Sequence, residues 1–212
     1  VKGASASQDI YVSDDAAHVP AADYRISYNT LNNTLTGFQG FGVAGEQHVY
    51  FDAGTVTKSV NVSGKQGVVL RDNVTVSGDQ TKIKIASAQG GFSIENGKQL
   101  TVGGNKAEIS IEAHNDFHIK DNAGIVVNGN DADIKLISTH GDAKLGTGAK
   151  VEIAGTGAKV FVNGNDFSLG ADAQVDLGTD TKGSFTLHAD TVTDTADSKT
   201  NITGKGVLTL AT

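Results

Sequence analysis

Phe92-Ser93-Ile94, Leu100-Thr101-Val102 and Ile109-Ser110-Ile111 are followed by Phe117-His118-Ile119, Ile125-Val126-Val127 and Ile134-Lys135-Leu136. Each triplet is apolar-x-apolar, so its two apolar side chains share one face of a short strand and the middle residue takes the other. Two further rows continue the beat. One reads Ala143-x-Leu145, Val151-x-Ile153, Val160-x-Val162, and the next Phe167-x-Leu169, Val175-x-Leu177, Phe185-x-Leu187. Rows open at residues 92, 117, 143 and 167, in steps of 25, 26 and 24. Within a row the second pair starts 8 residues after the first, and the third starts 17 after it in three rows and 18 in the last.

The beat extends upstream through Val68-x-Leu70, Val74-x-Val76 and Ile83-x-Ile85. Above that, Phe41-x-Val43, Val49-x-Phe51 and Val60-x-Val62 read as one more row. Downstream it thins to Val192, Ile202 and Leu208-x-Leu210. Between pairs lie turn-forming residues, as in Asn128-Gly129-Asn130-Asp131 and Asn163-Gly164-Asn165-Asp166. A hairpin stack also uses Asn-Gly turns, but it does not produce a three-beat row of fixed length. One row cannot bury its own apolar face, whereas stacked rows bury a continuous column.

The expected fold is therefore all-β. It is a parallel β-helix, a solenoid of about seven coils, each of about 25 residues and three short strands. At about 4.8 Å per coil the rod is roughly 34 Å long. Phe92 is expected beside Phe117, and Ile94 beside Ile119. Coils of this length and strand number resemble those of known right-handed β-helices, which implies a right-handed winding.

The expected division is residues 1–40 as an N-terminal cap or assembly segment and residues 41–212 as the β-helix. In 1–40 the rhythm fades to looser strands at Ile10–Val12 and Tyr24–Tyr28. Seven of the chain's 12 aromatic residues lie within residues 1–51. Terminal repeats usually depart from the consensus, so this segment reads as a cap or as a docking surface for another subunit. The last pair ends two residues before Thr212, which leads to the expectation of an uncovered C-terminal coil whose strand edges invite pairing. No charged-then-apolar secretory signal opens the sequence, so a signal is expected either to have been removed or never to have been carried.

Composition narrows the function. The 212 residues contain no Cys, Met or Trp and 27 Gly. Without Cys there is no disulfide framework, thiol nucleophile or Cys-ligated zinc. The net charge is −7, and only Arg25 and Arg71 are Arg, a poor footprint for nucleic acid. No apolar run reaches the length of a membrane-spanning helix, so no membrane-spanning segment is expected.

Three constellations carry candidate chemistry. With the register set, the outward residues fall in columns. The first sheet shows Gly42, Val69, Ser93, His118, Lys144, Ser168 and Thr193. The second shows Tyr50, Thr75, Thr101, Val126, Glu152, Asp176 and Asn201. The third shows Asn61, Lys84, Ser110, Lys135, Phe161, Thr186 and Thr209. Glu152 above Asp176 is the best catalytic candidate, because paired acids at about 5–9 Å serve glycoside hydrolysis. Short loops and the lack of an aromatic platform weigh against it, so no catalytic residue is assigned. The Asn-Asp turns offer oxygen ligands for calcium at Asn128, Asn130, Asp131 and Asp133, and at Asn163, Asn165 and Asp166. The tandem Gly-Gly-x-Gly-x-Asp calcium repeat is missing, which favours plain turn formation, and calcium remains the one possible cofactor. His18, His48, His114, His118, His140 and His188 show no ligand spacing and read as surface residues. Walker and Gly-x-Ser-x-Gly motifs are absent from the sequence.

The loose Val-x-Val-Asn-Gly-Asn rhythm and the phrase Asn201-Ile-Thr-Gly-Lys-Gly-Val-Leu-Thr-Leu210 resemble filamentous-haemagglutinin-like and autotransporter passenger repeats of bacterial surfaces. The resemblance spans residues 41–212. It implies a non-enzymatic, extracellular structural or adhesive protein, either a passenger-type adhesin or a self-assembling fibre subunit. Its expected partners are further copies stacked head to tail, with Ile10–Val12 completing a neighbour's sheet edge, and host or matrix glycans. Two alternatives stay open: a polysaccharide-degrading β-helix enzyme, and a calcium-binding surface-layer or matrix module.

Overall fold

A computed structural model of the chain describes residues 7–34, 40–194 and 201–211. Its strands form three parallel sheets of nine, seven and eight strands. The chain visits the third, first and second sheets in turn, so each lap contributes one strand to each. The architecture is a β-solenoid with almost no helix; a five-residue π turn, Thr30–Thr34, stands among the described residues.

The register is that of stacked equivalents. Phe92 pairs with Phe117 and Ile94 with Ile119, and Ile119 in turn with Leu145. The Phe92 and Phe117 rings stack with centroids 5.3 Å apart and planes at 7°. One inward column of the first sheet runs Ile10, Val49, Val68, Phe92, Phe117, Ala143, Phe167 and Val192. In the third sheet Ile83, Ile109, Ile134 and Val160 form the matching ladder, and all four are buried. The bore is filled by side chains from all three sheets, which form a single apolar cluster.

Corners are as crowded as the bore. A Cβ added at Gly104 would stand 2.1 Å from the Gly78 carbonyl oxygen; at Gly129, 2.0 Å from that of Gly104; at Gly155, 2.1 Å from that of Gly129. Four glycines on successive coils thus let the backbone stack at one corner. Beside them runs a polar ladder. Asp79 Oδ1 accepts the Asn105 N–H at 2.8 Å, Asn105 Oδ1 the Asn130 N–H at 3.1 Å, and Asn130 Oδ1 the Thr156 N–H at 3.0 Å.

The first row departs from the sequence reading. Phe41 and Val43 lie in the third sheet over Val60 and Val62, and Val49 and Phe51 lie in the first. Gly42 therefore faces outward above Asn61, and Tyr50 above Val69. The second-sheet strand of that lap is Gly54–Val56, which has a single large apolar residue and shows no apolar-x-apolar beat. Its missing side chain is replaced from elsewhere: a Cβ on Gly54 would stand 2.1 Å from Cε2 of the Tyr28 ring. At the far end, Asp176 opposes Thr203, and Asn201 opposes Gln174.

The N-terminal strand is committed within its own chain. Ile10–Val12 pairs with Tyr24–Ile26 on one edge and with His48–Phe51 on the other. Ile10 and Val12 are fully buried. It is thus not a free strand for a neighbour, because both its edges and its inward face are already satisfied. Tyr28 and Leu31 plug the same end, and the Tyr28 hydroxyl donates to the Asp52 carbonyl at 2.8 Å. The opposite end differs: Val192, Ile202, Val207, Leu208 and Leu210 are exposed.

Candidate functional site

Glu152 and Asp176 do stack in register on the second sheet. Each is already engaged locally. Lys150 Nζ lies 2.7 Å from Glu152 Oε2, and Asp176 Oδ1 accepts the Gly178 N–H at 2.9 Å. Their outer face continues upward as Val126, Thr101, Thr75 and Thr55, with no aromatic side chain in the column.

Of the turn residues considered for calcium, Asn130, Asp133 and Asp166 spend side-chain oxygens on the chain. Asn130 holds the corner ladder described above, and Asp131 sits at φ 54°, a conformation Asn and Asp tolerate better than most residues. Asp133 lies 3.5 Å from Lys135 Nζ. Asp166 accepts a hydrogen bond from the Thr191 hydroxyl, and Asn165 donates to the His140 carbonyl at 3.1 Å. Asn128 and Asn163 flank the same corners, and Asn163 opposes His188 in the third sheet. Among the described residues, no group of three or more His, Asp and Glu side chains is placed to share a metal ion.

Charged side chains on the first sheet's flank pair from coil to coil. Arg71 donates to Asp52 Oδ1 through Nε at 3.0 Å and Nη2 at 2.6 Å. Lys98 reaches Asp72 at 2.9 Å, Lys120 reaches Glu95 at 2.6 Å, and Lys144 reaches Asp116 at 2.6 Å. In each pair the cation comes from the later lap. The Lys98 hydrogen bond holds the Asp72 carboxyl below its ordinary value. Burial raises the pKa of Asp116, but Lys144 and the Asp142 N–H outweigh burial and leave it depressed. Burial, then Lys120 and Lys144, push the half-buried His118 below the usual imidazole value against the opposing charges of Asp121 and Asp116.

No family model, curated protein or solved structure matches the chain. Among the described residues, no helix is long and apolar enough to cross a membrane.

One polar constellation was not anticipated from the sequence. Tyr11 and Tyr50 stack outside the first sheet with centroids 4.9 Å apart, and the Arg71 guanidinium lies 4.5 Å and 5.0 Å from the two ring centres. Beside them opens a cleft of about 370 Å³ lined by Ser13, Asp15, His18, Asp52, Ala53, Arg71 and Asp72. Burial raises the hydroxyl pKa of both tyrosines. The rings and the Arg71–Asp52 pair lock three laps together, since Tyr11, Tyr50 and Arg71 belong to successive first-sheet strands or the turn after one. The remaining histidines split into separate settings. His18 bonds Asp15 at 2.5 Å, His48 lies 3.5 Å from Asp9, and His188 meets the Phe161 ring edge-on at 5.0 Å. The His114 and His140 rings meet at a tilt across adjacent coils, with centroids 4.3 Å apart. That neighbourhood has a sequence signal: their spacing of 26 residues equals one lap.

Proposed function

We propose that this chain is a non-enzymatic structural or adhesive β-solenoid of an extracellular bacterial surface. The observation that carries the reading is the coil-to-coil ladder of Arg71–Asp52, Lys98–Asp72, Lys120–Glu95 and Lys144–Asp116. These pairs recur once per lap, each cation tied to a carboxylate of the lap before it. Such an arrangement supports a stiff rod whose outer faces are presented to a partner, with function residing in the display surface. Host or matrix glycans are the partners this role takes.

The exposed aliphatic residues of the last laps, Val207, Leu208 and Leu210 among them, need cover in water. A further coil of the same winding supplies it, from the same polypeptide or from a second copy. A copy stacking head to tail meets an end plugged by Tyr28 and Leu31, so that assembly requires the plug to move. Negative-stain microscopy of the purified chain tests the scaffold role: rods or filaments support it, and compact non-elongated particles overturn it.

The second reading, a polysaccharide-cleaving enzyme, is favoured by one observation, the register of Glu152 with Asp176. A panel of acidic and neutral polysaccharides separates the two. Turnover that disappears in Glu152→Gln or Asp176→Asn establishes the enzyme; product formation on no member of the panel favours the scaffold.

A further inference from the structure

His114 and His140 follow the third-sheet strands Glu108–Ala113 and Asp133–Ser138 at the same corner of consecutive laps. Their ring centroids are 4.3 Å apart, and the planes are inclined at 39°. His114 is half-buried and His140 exposed, so solvent reaches the pair. The backbone fixes their spacing: His140 N–H donates to the His114 carbonyl at 2.9 Å.

The Thr139 hydroxyl holds the Nδ1 edge of the His140 ring. It lies 3.3 Å from the Ala113 carbonyl oxygen and 3.4 Å from that of His114, and both can only accept. It also lies 3.0 Å from His140 Nδ1 and hydrogen-bonds there. With Nδ1 engaged, Nε2 is the His140 nitrogen available to a ligand, and a hydrogen bond at the other ring nitrogen is what orients a metal-binding histidine.

We propose that His114 and His140 form a two-imidazole site for a borderline transition-metal ion, Zn²⁺, Ni²⁺ or Cu²⁺, with water completing the coordination. Imidazole suits these ions, whereas calcium and magnesium demand oxygen. At metal–nitrogen distances of about 2.0–2.1 Å, two rings bound side by side on one ion stand with centroids about 4.5–5 Å apart. The observed 4.3 Å is a few tenths of an ångström short of that range, a gap that a small rotation of the exposed ring closes. Among the described residues, no other histidine has an imidazole partner: Asp15 takes His18, Asp9 and Tyr50 flank His48, Lys120 and Lys144 crowd His118, and Phe161 meets His188. An ion here joins two laps and stabilises the folded coil at that corner.

Titration calorimetry with ZnCl₂, NiCl₂ and CuCl₂, paired with electron paramagnetic resonance of the Cu²⁺-loaded chain, tests the site. The expected result is one ion per chain and two nitrogen couplings. Affinity should fall tenfold or more, to a single coupling, in His114→Ala and in His140→Ala. Both variants replace solvent-accessible side chains, and circular dichroism checks that the β signal is retained. His18→Ala and His48→Ala are expected to bind as the unaltered chain does. Absence of binding overturns the site, as does unchanged affinity in His114→Ala and His140→Ala, or an equal loss in His18→Ala and His48→Ala.

Discussion

Asn32 binds the open edge of Gly54–Val56 through both ends of its side-chain amide. Nδ2 donates to the Thr55 carbonyl at 2.6 Å, and Oδ1 accepts the Thr57 N–H at 3.1 Å. The amide thus stands in for the backbone of a strand that the second sheet does not have above this lap. Edge groups left unpaired template association with other chains, and one side chain blunts the edge here.

Asn32→Ala removes both bonds and is expected to cost about 1–2 kcal/mol. Urea unfolding measures the loss. Hydrogen exchange should place it at Thr57 first, since its N–H returns to solvent. An unchanged midpoint would show that the edge is held by Tyr28 and Leu31 alone.

Phe117 lies between Phe92 and Ala143 in the first-sheet column. Phe117→Ala leaves a large void beneath the Phe92 ring and is expected to destabilise by about 3–5 kcal/mol, whereas Phe117→Leu should cost much less. Chemical denaturation of the two variants checks the order. Equal costs would indicate that the column collapses to fill the gap.

Two glycines distinguish crowding from backbone conformation. Gly129→Ala drives a methyl against the Gly104 carbonyl and should cost about 3 kcal/mol or more, because backbone must move. Gly97 has φ 68° and open space around its Cβ position, so Gly97→Ala should cost about 1–2 kcal/mol and Gly97→Asn less. Thermal unfolding of the three variants gives the ranking, and the reverse ranking refutes the corner ladder.

Acid should loosen the solenoid in two stages. The folded state depresses His118, so the unfolded chain takes up its proton first as pH falls below 6.5, and stability declines from there downward. Asp72 and Asp116 are depressed from 3.8, so their stabilisation is present above that value and is lost as pH falls through their folded values. A pH series of melting temperatures measures both stages. His118→Asn should flatten the first and leave the second; a first stage that persists in this variant belongs to another group.

Most of the winding was legible because burial in a parallel coil obeys a period of two within strands and a period of one lap between them. Phe92, Phe117 and Phe167 announce equivalent positions by spacing alone. The first lap was misassigned because Gly54 supplies no side chain to its column: its volume comes from Tyr28, about a lap upstream, and no local pattern reports that. The stack of Glu152 on Asp176 could be read from spacing, but their engagement with Lys150 and the Gly178 N–H could not. Side-chain direction depends on rotamer and neighbour, which spacing does not encode.

The amino-acid sequence by itself determined the all-β class, the length of the lap and which residues face the bore, because apolar alternation is a local consequence of strand geometry. Only the tertiary structure decided how the N-terminal strand is used, that Asn32 caps an edge, and that Arg71 spans Tyr11 and Tyr50. It alone also showed the His114 and His140 rings in contact. Those relations join residues 14 to 60 positions apart through side-chain reach and coil-to-coil stacking, which exist only once the chain has closed its laps.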